Sequence, residues 1–291
     1  MKTTTKLREL IKSKELIVAP GAFSPLCAKM IQKVGFNCVY MSGYGVAAYR
    51  LGFPDVGLMT MNESLDTARA IAQACDLPVI ADVDNGYGNV INVKRTVEEY
   101  ELAGVAGIQL EDQSWPKRCG HMEGKVLISA EEMVQKIRIA VASRKDPDFV
   151  IVARTDANTV LGFDEAIRRS NLYAEAGADI IFFESPTSDE QVEKIPDLVH
   201  APVMLNMSEG AKTPLRNNAE IWSLGYKLVI WPSSATWAAA RAIQEIYQIL
   251  KDKGTTGEDL EKLILFHEFN DLIGLPEVMR LSDEYKTGTT Y

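Results

Sequence analysis

Four segments of this chain share one shape: VGFNCVYMSG (34–43), AGVAGIQLED (103–112), AGADIIFFES (176–185) and LGYKLVIWPS (224–233). In each, a Gly (Gly35, Gly104, Gly177 or Gly225) precedes an apolar run that ends in small or polar residues. A Gly just past a helix takes the left-handed cap position that other residues enter only at a cost. A continuous apolar run then fits a parallel strand covered on both faces. Four more runs, LIVAPGAF, PVIADVDNG, FVIVARTDA and PVMLNMS, bring the set to eight, with strands expected to start near 16, 36, 78, 105, 149, 179, 202 and 228.

Between these runs the pattern turns helical. Phe163, Ala166, Ile167, Tyr173 and Ala174 recur at helical spacing. Thr60 with Glu63, Ser129 with Glu132 and Ser188 with Gln191 read as helix starts. Eight β–α alternations within about 240 residues predict a (β/α)8 TIM barrel. An open doubly wound sheet fits less well, because no GxGxxG follows any of the strands. One barrel domain is expected over residues 1–291. EDLEKLILFHEFNDLIGL, beginning at Glu258, reads as an additional helix.

Composition narrows the function. The 291 residues are 46% apolar, enough for a large core. A net charge of −9 argues against a nucleic-acid or anionic-membrane surface, though not against an anionic substrate met by local cations. No apolar run approaches a membrane span, and the polar N-terminus lacks the apolar stretch of a signal peptide. Cys27, Cys38, Cys75 and Cys119 are far apart, which makes a disulfide framework improbable and a reducing cytoplasm the expected compartment. The first three read as core packing.

In such a barrel the chemistry lies at the C-terminal strand ends. Those ends carry Ser42-Gly43-Tyr44, Asp82 with Asp84 and Asn85, Glu111 with Asp112, Arg154 with Asp156, Glu184, Asn206 with Ser208, and Ser233 with Ser234. If the third strand stays extended through Asp84, Asp82 and Asp84 point the same way. With Glu111 from the next strand they form an all-oxygen cluster, which repels itself unless a cation sits within it. Such ligands suit Mg²⁺, with Mn²⁺ an alternative.

The stretch EDQSWPKRCGH follows the fourth strand and opens a connection of about 16 residues, long enough for an active-site lid. Lys117 and Arg118 flank Cys119 and are expected to lower its thiol pKa. His121 adds a donor, and Gly120 and Gly124 add backbone freedom. A thiol on a closing lid can act as a general acid or base.

SGYGVAA, PDVGLMT, ADVDNGYG, QLEDQ, KRCGH, ARTDA and NMSEGAKTP together resemble the isocitrate lyase/phosphoenolpyruvate mutase superfamily over nearly the whole chain. KRCGH is the most specific, because the lyases of that superfamily carry such a loop and its phosphonopyruvate-processing members do not. The resemblance implies a Mg²⁺ site at Asp82, Asp84 and Glu111, with some contacts through water. It implies Cys119 as the acid/base, and Ser42, Gly43 and Tyr44 as the clamp on a 2-oxyacid end. Asp55 matches an acid near that clamp. Arg154, His121, Glu184 and Asn206, with Lys117, Arg118 and Gly120, are expected to bind substrate or stabilise charge.

The implied reaction is C–C cleavage of a 2-hydroxy dicarboxylate. Tyr44 within SGYG, and Lys212 in the loop after the seventh strand, depart from the pattern of 2-methylisocitrate cleavage. They favour 2,3-dimethylmalate, with 2-methylisocitrate and then oxaloacetate as alternatives. A non-catalytic metabolite-binding barrel is the reading from a different class. The resemblance also implies a homotetramer, in which residues 258–291 pack on a neighbouring subunit.

Overall fold

The computed structural model describes residues 1–286. Eight short parallel strands close on themselves: β1 (Ile17–Ala22), β2 (Val39–Met41), β3 (Val79–Asp82), β4 (Gly107–Glu111), β5 (Val150–Thr155), β6 (Ile180–Phe183), β7 (Val203–Asn206) and β8 (Leu228–Trp231). β8 returns to pair with β1 from Ile17↔Leu228 to Pro20↔Trp231, so the barrel has no free edge. The expected strands are all present, each starting within three residues of the position read from the sequence.

Side chains alternate along each strand. One set, including Val39, Ile108, Ile151, Ile181 and Val229, packs outward against the helices. The other, including Ile80, Val152, Phe182 and Met204, fills the barrel. Two residues further along the inward set stand Asp82, Arg154, Glu184 and Asn206, all buried. The pleat that fills the core thus also delivers polar groups to its upper end. At the opposite end, Leu7, Leu10 and Ile11 of the helix Thr3–Lys12 pack onto the interior cluster and stop the barrel.

Asp112 turns outward instead. It is fully buried and accepts from Thr155 Oγ1 (2.8 Å), the Asp156 N–H (2.9 Å), Arg169 Nη1 (3.1 Å) and Tyr173 OH (2.8 Å). It therefore ties β4 and β5 to the helix Phe163–Glu175. Asp112→Ala is expected to lower stability by about 3–5 kcal/mol, since it leaves the buried Thr155, Tyr173 and Asp156 donors without their acceptor and Arg169 with only the partly exposed Glu165 as its carboxylate. Urea unfolding monitored by circular dichroism checks this, and a loss below about 1 kcal/mol, as at an exposed pair, would refute it.

The described residues fall into two compact units, the first Met1–Thr236 and the second beginning at Trp237. Within the second, the single helix expected from Glu258 onward is broken. A 3₁₀ turn at Leu260–Lys262 precedes the helices Phe266–Ile273 and Leu275–Glu284. Gly274, at φ 91°, caps the first of these, and Pro276 enters the first turn of the next. Residues 287–291 of the expected extension lie outside the described residues. Among the described residues no helix is long and apolar enough to cross a membrane.

Candidate active site

β3 ends at Asp82, and Asp84 has φ 51°, so the two acids are not joined by strand pleat. A turn brings them together, with the Asp84 N–H donating to Asp82 Oδ1 (3.0 Å). Glu111 ends β4 opposite Arg154 of β5. Arg154 Nη1 lies 3.3 Å from Glu111 Oε2, while its Nε and Nη2 donate to the two oxygens of Asp156 at 2.9 and 3.0 Å. The guanidinium stacks over Phe182, 5.2 Å from the ring centre. Buried Glu184 approaches the same cation at 3.6 Å.

The KRCGH loop is seated in this mouth. Its two ends are zipped, with Gln113 bridged antiparallel to Leu127 and the Ser114 N–H donating to the Val126 carbonyl (2.8 Å). The Gln113 carboxamide grips the Arg118 backbone, donating to its carbonyl (2.8 Å) and accepting from its N–H (2.9 Å). The Cys119 N–H donates to the Asp55 carbonyl (3.1 Å). Lys117 Nζ lies buried between Asp55 Oδ1 and Asp84 Oδ1, 2.6 Å from each. Lys125 Nζ donates to the Gly120 carbonyl and pairs with Asp156 (3.3 Å). A Cβ on Gly120 would overlap Arg154 Nη2 and lie 2.7 Å from Glu184 Cγ, so only glycine lets the backbone pass here.

Two expectations need correction. Arg118 does not join the cluster: it is exposed, and its Nη1 donates to the Glu123 carbonyl (2.9 Å). Nor is the Cys119 thiol acidified. Burial pushes it up to about 11, and Asp55 adds to the rise, while the His121 backbone, Arg154 and Lys117 oppose it. Lys117 is committed to two carboxylates, and Arg118 faces away. The half-buried thiol is therefore held neutral, the form that can give a proton.

Ser42 caps the short helix Gly43–Val46, its hydroxyl accepting from the Gly45 N–H (3.2 Å). The first N–H groups of a helix have no intrahelical partner. Gly43 passes so close to Asp82 that a Cβ there would lie 2.9 Å from Asp82 Oδ2. Tyr44, the next residue of the same turn, is half-buried. On the far side, His121 Nδ1 meets Ser185 Oγ (3.1 Å) and Nε2 meets Asn206 Nδ2 (3.3 Å).

The carboxylates fit a divalent cation. Both oxygens of Glu111 and Oδ1 of Asp84 are buried without a hydrogen-bond donor. Lys117 touches Asp84 Oδ1 in charge contact, but off the angle of a hydrogen bond. Burial pushes the Asp84 carboxyl up to about 7 against the pull of Lys117, with Asp82 and Asp55 adding to the rise. Glu111 is raised well above the carboxylate range by burial, against Arg154 and Lys117. These groups resist negative charge in the absence of a cation. No three acid, His or Cys side chains among the described residues close into a direct ligand cage. An ion here would therefore be held partly through its own waters, as Mg²⁺ often is.

Gln113, Lys125 and Ser185 were not singled out as site residues by the sequence, and Asp156 was named only as a strand end. Lys125 shares its loop with Lys117, and that second buried cation was the signal available. Ser185 follows Glu184 directly, but nothing in its sequence marks its φ of 55°.

Residues 7–251 match the family model described as phosphoenolpyruvate phosphomutase. The chain belongs to that family. Over 288 residues it is 50% identical to 2,3-dimethylmalate lyase of Eubacterium barkeri, covering 99% of this chain and 100% of that protein. It is 45% identical over 268 residues to 2-methylisocitrate lyase of Aeropyrum pernix, covering 92% and 86%. A solved structure of 2,3-dimethylmalate lyase, described as a PEP mutase/isocitrate lyase superfamily member, superposes at TM-score 0.92 and 36% identity, covering 100% of this chain and 99% of that one. Phosphonopyruvate hydrolase in complex with oxalate and Mg²⁺ superposes at TM-score 0.89 and 32% identity, covering 98% and 99%.

Proposed function

We propose that this chain is a divalent-metal-dependent carbon–carbon lyase that cleaves 2,3-dimethylmalate to pyruvate and propionate. The observation that carries the reading is Cys119: a neutral thiol, backbone-anchored to Asp55, on a loop seated over Asp84, Arg154 and Glu184. Full-length identity to a named 2,3-dimethylmalate lyase supports the substrate.

Asp82, Asp84 and Glu111 would hold Mg²⁺ or Mn²⁺, which when bound polarises the C2 oxygen as a Lewis acid. Ser42, Gly43 and Tyr44 border Asp82 and receive the 2-hydroxyacid end. The C2 hydroxyl passes its proton to a base, water or a carboxylate of the site, its O–H pair becomes the second C2–O bond of pyruvate, the C2–C3 bond breaks, and that bonding pair passes to C3. Arg154, fixed by Asp156 and Phe182, sets positive charge beside the carboxylate of that fragment. His121, Glu184 and Asn206 line the same side. Cys119 delivers its thiol proton to C3, completing propionate, and regains a proton from solvent.

Lys212, the cation available for a third carboxylate, is paired with Glu123 at the surface, which disfavours 2-methylisocitrate. A panel of 2,3-dimethylmalate, 2-methylisocitrate, oxaloacetate and phosphonopyruvate, followed by pyruvate and propionate detection, tests the assignment. Turnover of any other member in preference to dimethylmalate overturns the substrate.

Gly120→Ala is expected to lower kcat/KM about 10²-fold, because a loop displaced by an ångström no longer presents its thiol. Tm should stay unchanged, since the overlap is confined to the closed loop. Wild-type kinetics in that variant would mean that closure over Arg154 is not needed.

The second unit carries apolar residues for a partner. Phe266, Phe269, Ile273, Val278 and Met279 are exposed, and neither helix from Phe266 to Glu284 buries a residue. We infer a homotetramer in which residues 258–291 pack on a neighbouring subunit. Four unpaired cysteines favour the cytoplasm.

A further inference from the structure

Ser185 is the one residue of the site held in a left-handed backbone conformation without being a glycine or a metal-site acid (φ 55°). Such strain persists only where the surroundings enforce it. The Asn158 carboxamide fixes the peptide by donating to the Ser185 carbonyl (2.7 Å). The strained turn aims the hydroxyl at three groups: Glu184 Oε1 (2.8 Å), His121 Nδ1 (3.1 Å) and the Gly120 carbonyl (3.4 Å).

A hydroxyl has one proton to give. The short bond to a buried carboxylate takes it, since charge-assisted bonds are the stronger ones. Ser185 Oγ then meets His121 Nδ1 as an acceptor, so Nδ1 must carry the hydrogen. The other ring nitrogen faces the Asn206 amide nitrogen (3.3 Å), whose second N–H points to Glu184 Oε2 (3.4 Å). Turning that amide over would set its oxygen against the carboxylate, so Asn206 donates and Nε2 accepts. Glu184 Oε1 lies 3.7 Å from Nε2, too far for a hydrogen bond.

We propose that Ser185 is a positioning residue: its hydroxyl fixes His121 as the Nδ1–H tautomer and fastens the Cys119 loop to the end of β6. His121 then accepts from Asn206 through Nε2, and Arg154 is left to face the developing charge. The inference rests on the lyase reading for its kinetic arm alone. Its structural arm, the state of the imidazole, is read without substrate.

The test uses the full-length chain labelled with ¹⁵N-histidine. The chain has three histidines, and His200 and His267 are exposed, so His121 is assigned by a His121→Asn control. Long-range ¹H–¹⁵N spectra should show Nδ1 protonated and Nε2 bare in the wild type, a pattern lost in Ser185→Ala. Ser185→Ala and Ser185→Gly should each lower kcat about 10–10²-fold, with KM little changed. Ala keeps the backbone strain and Gly relieves it, so equal losses assign the effect to the hydroxyl. A wild-type ring protonated at Nε2, an unchanged ring in Ser185→Ala, or recovery of kcat in Ser185→Gly over Ser185→Ala each overturns the proposal. Failure of the substrate panel leaves the spectra readable, so the two readings fail separately.

Discussion

Replacing Cys119 with alanine is expected to lower kcat about 10²–10⁴-fold, the range of a lost general acid. The substitution removes one sulfur from a loop whose anchors all lie elsewhere. The Cys119 N–H still reaches Asp55, Gln113 still grips Arg118, and Lys117 still bridges Asp55 and Asp84. Oxalate, a mimic of the pyruvate end, should therefore bind with unchanged Kd by calorimetry. The pH profile adds a second check. A general acid fails as pH rises through its pKa, and this thiol is pushed up to about 11. An ordinary thiol would fail near about 8.5. No alkaline limb from Cys119 should thus appear below about pH 10. Full turnover by the alanine variant would remove Cys119 from the acid role, whereas activity falling with a thiol that titrates near about 8.5 would keep the role and overturn the raised pKa.

Chelation should have the largest effect of all. Dialysis against EDTA is expected to take turnover to background, and added Mg²⁺ or Mn²⁺ to restore it. The reason lies in the acids themselves. Glu111 has both oxygens buried without donors, and Asp84 has one. Lys117 is shared between Asp55 and Asp84, and Arg154 is shared among Glu111, Asp156 and Glu184, so neither cation neutralises the group alone. Asp84→Asn and Glu111→Gln should each weaken Mg²⁺ binding in calorimetry while leaving the fold intact. An EDTA-treated chain with undiminished turnover would take the ion out of the scheme.

The barrel was legible because buried parallel strands must be written as uninterrupted apolar runs, and Gly35, Gly104, Gly177 and Gly225, all at positive φ, mark the helix ends before four of them. Strand ends were legible for the same reason, since Arg154, Glu184 and Asn206 continue the inward set of their strands. Four things were not. The meeting of Asp82 and Asp84 was foreseen for the wrong reason, because a left-handed turn replaces the pleat. The direction of the Cys119 shift depends on burial and on where Lys117 spends its charge, neither of which local spacing reveals. Arg118 sits next to Lys117 in sequence, yet the loop turns one inward and the other out. The break at Gly274 was visible as a glycine followed by proline, but the apolar periodicity on either side masked it.

The helix Thr3–Lys12 closes the floor of the barrel. A vessel stoppered below is entered from above, and here the thiol proposed as the acid rides on the loop over that entrance. If reactant arrives and both fragments depart by that route, the loop is expected to swing once per catalytic cycle. Its frequency of opening then caps the throughput of the enzyme, and a thickened solvent should slow the cycle even where the chemistry is untouched.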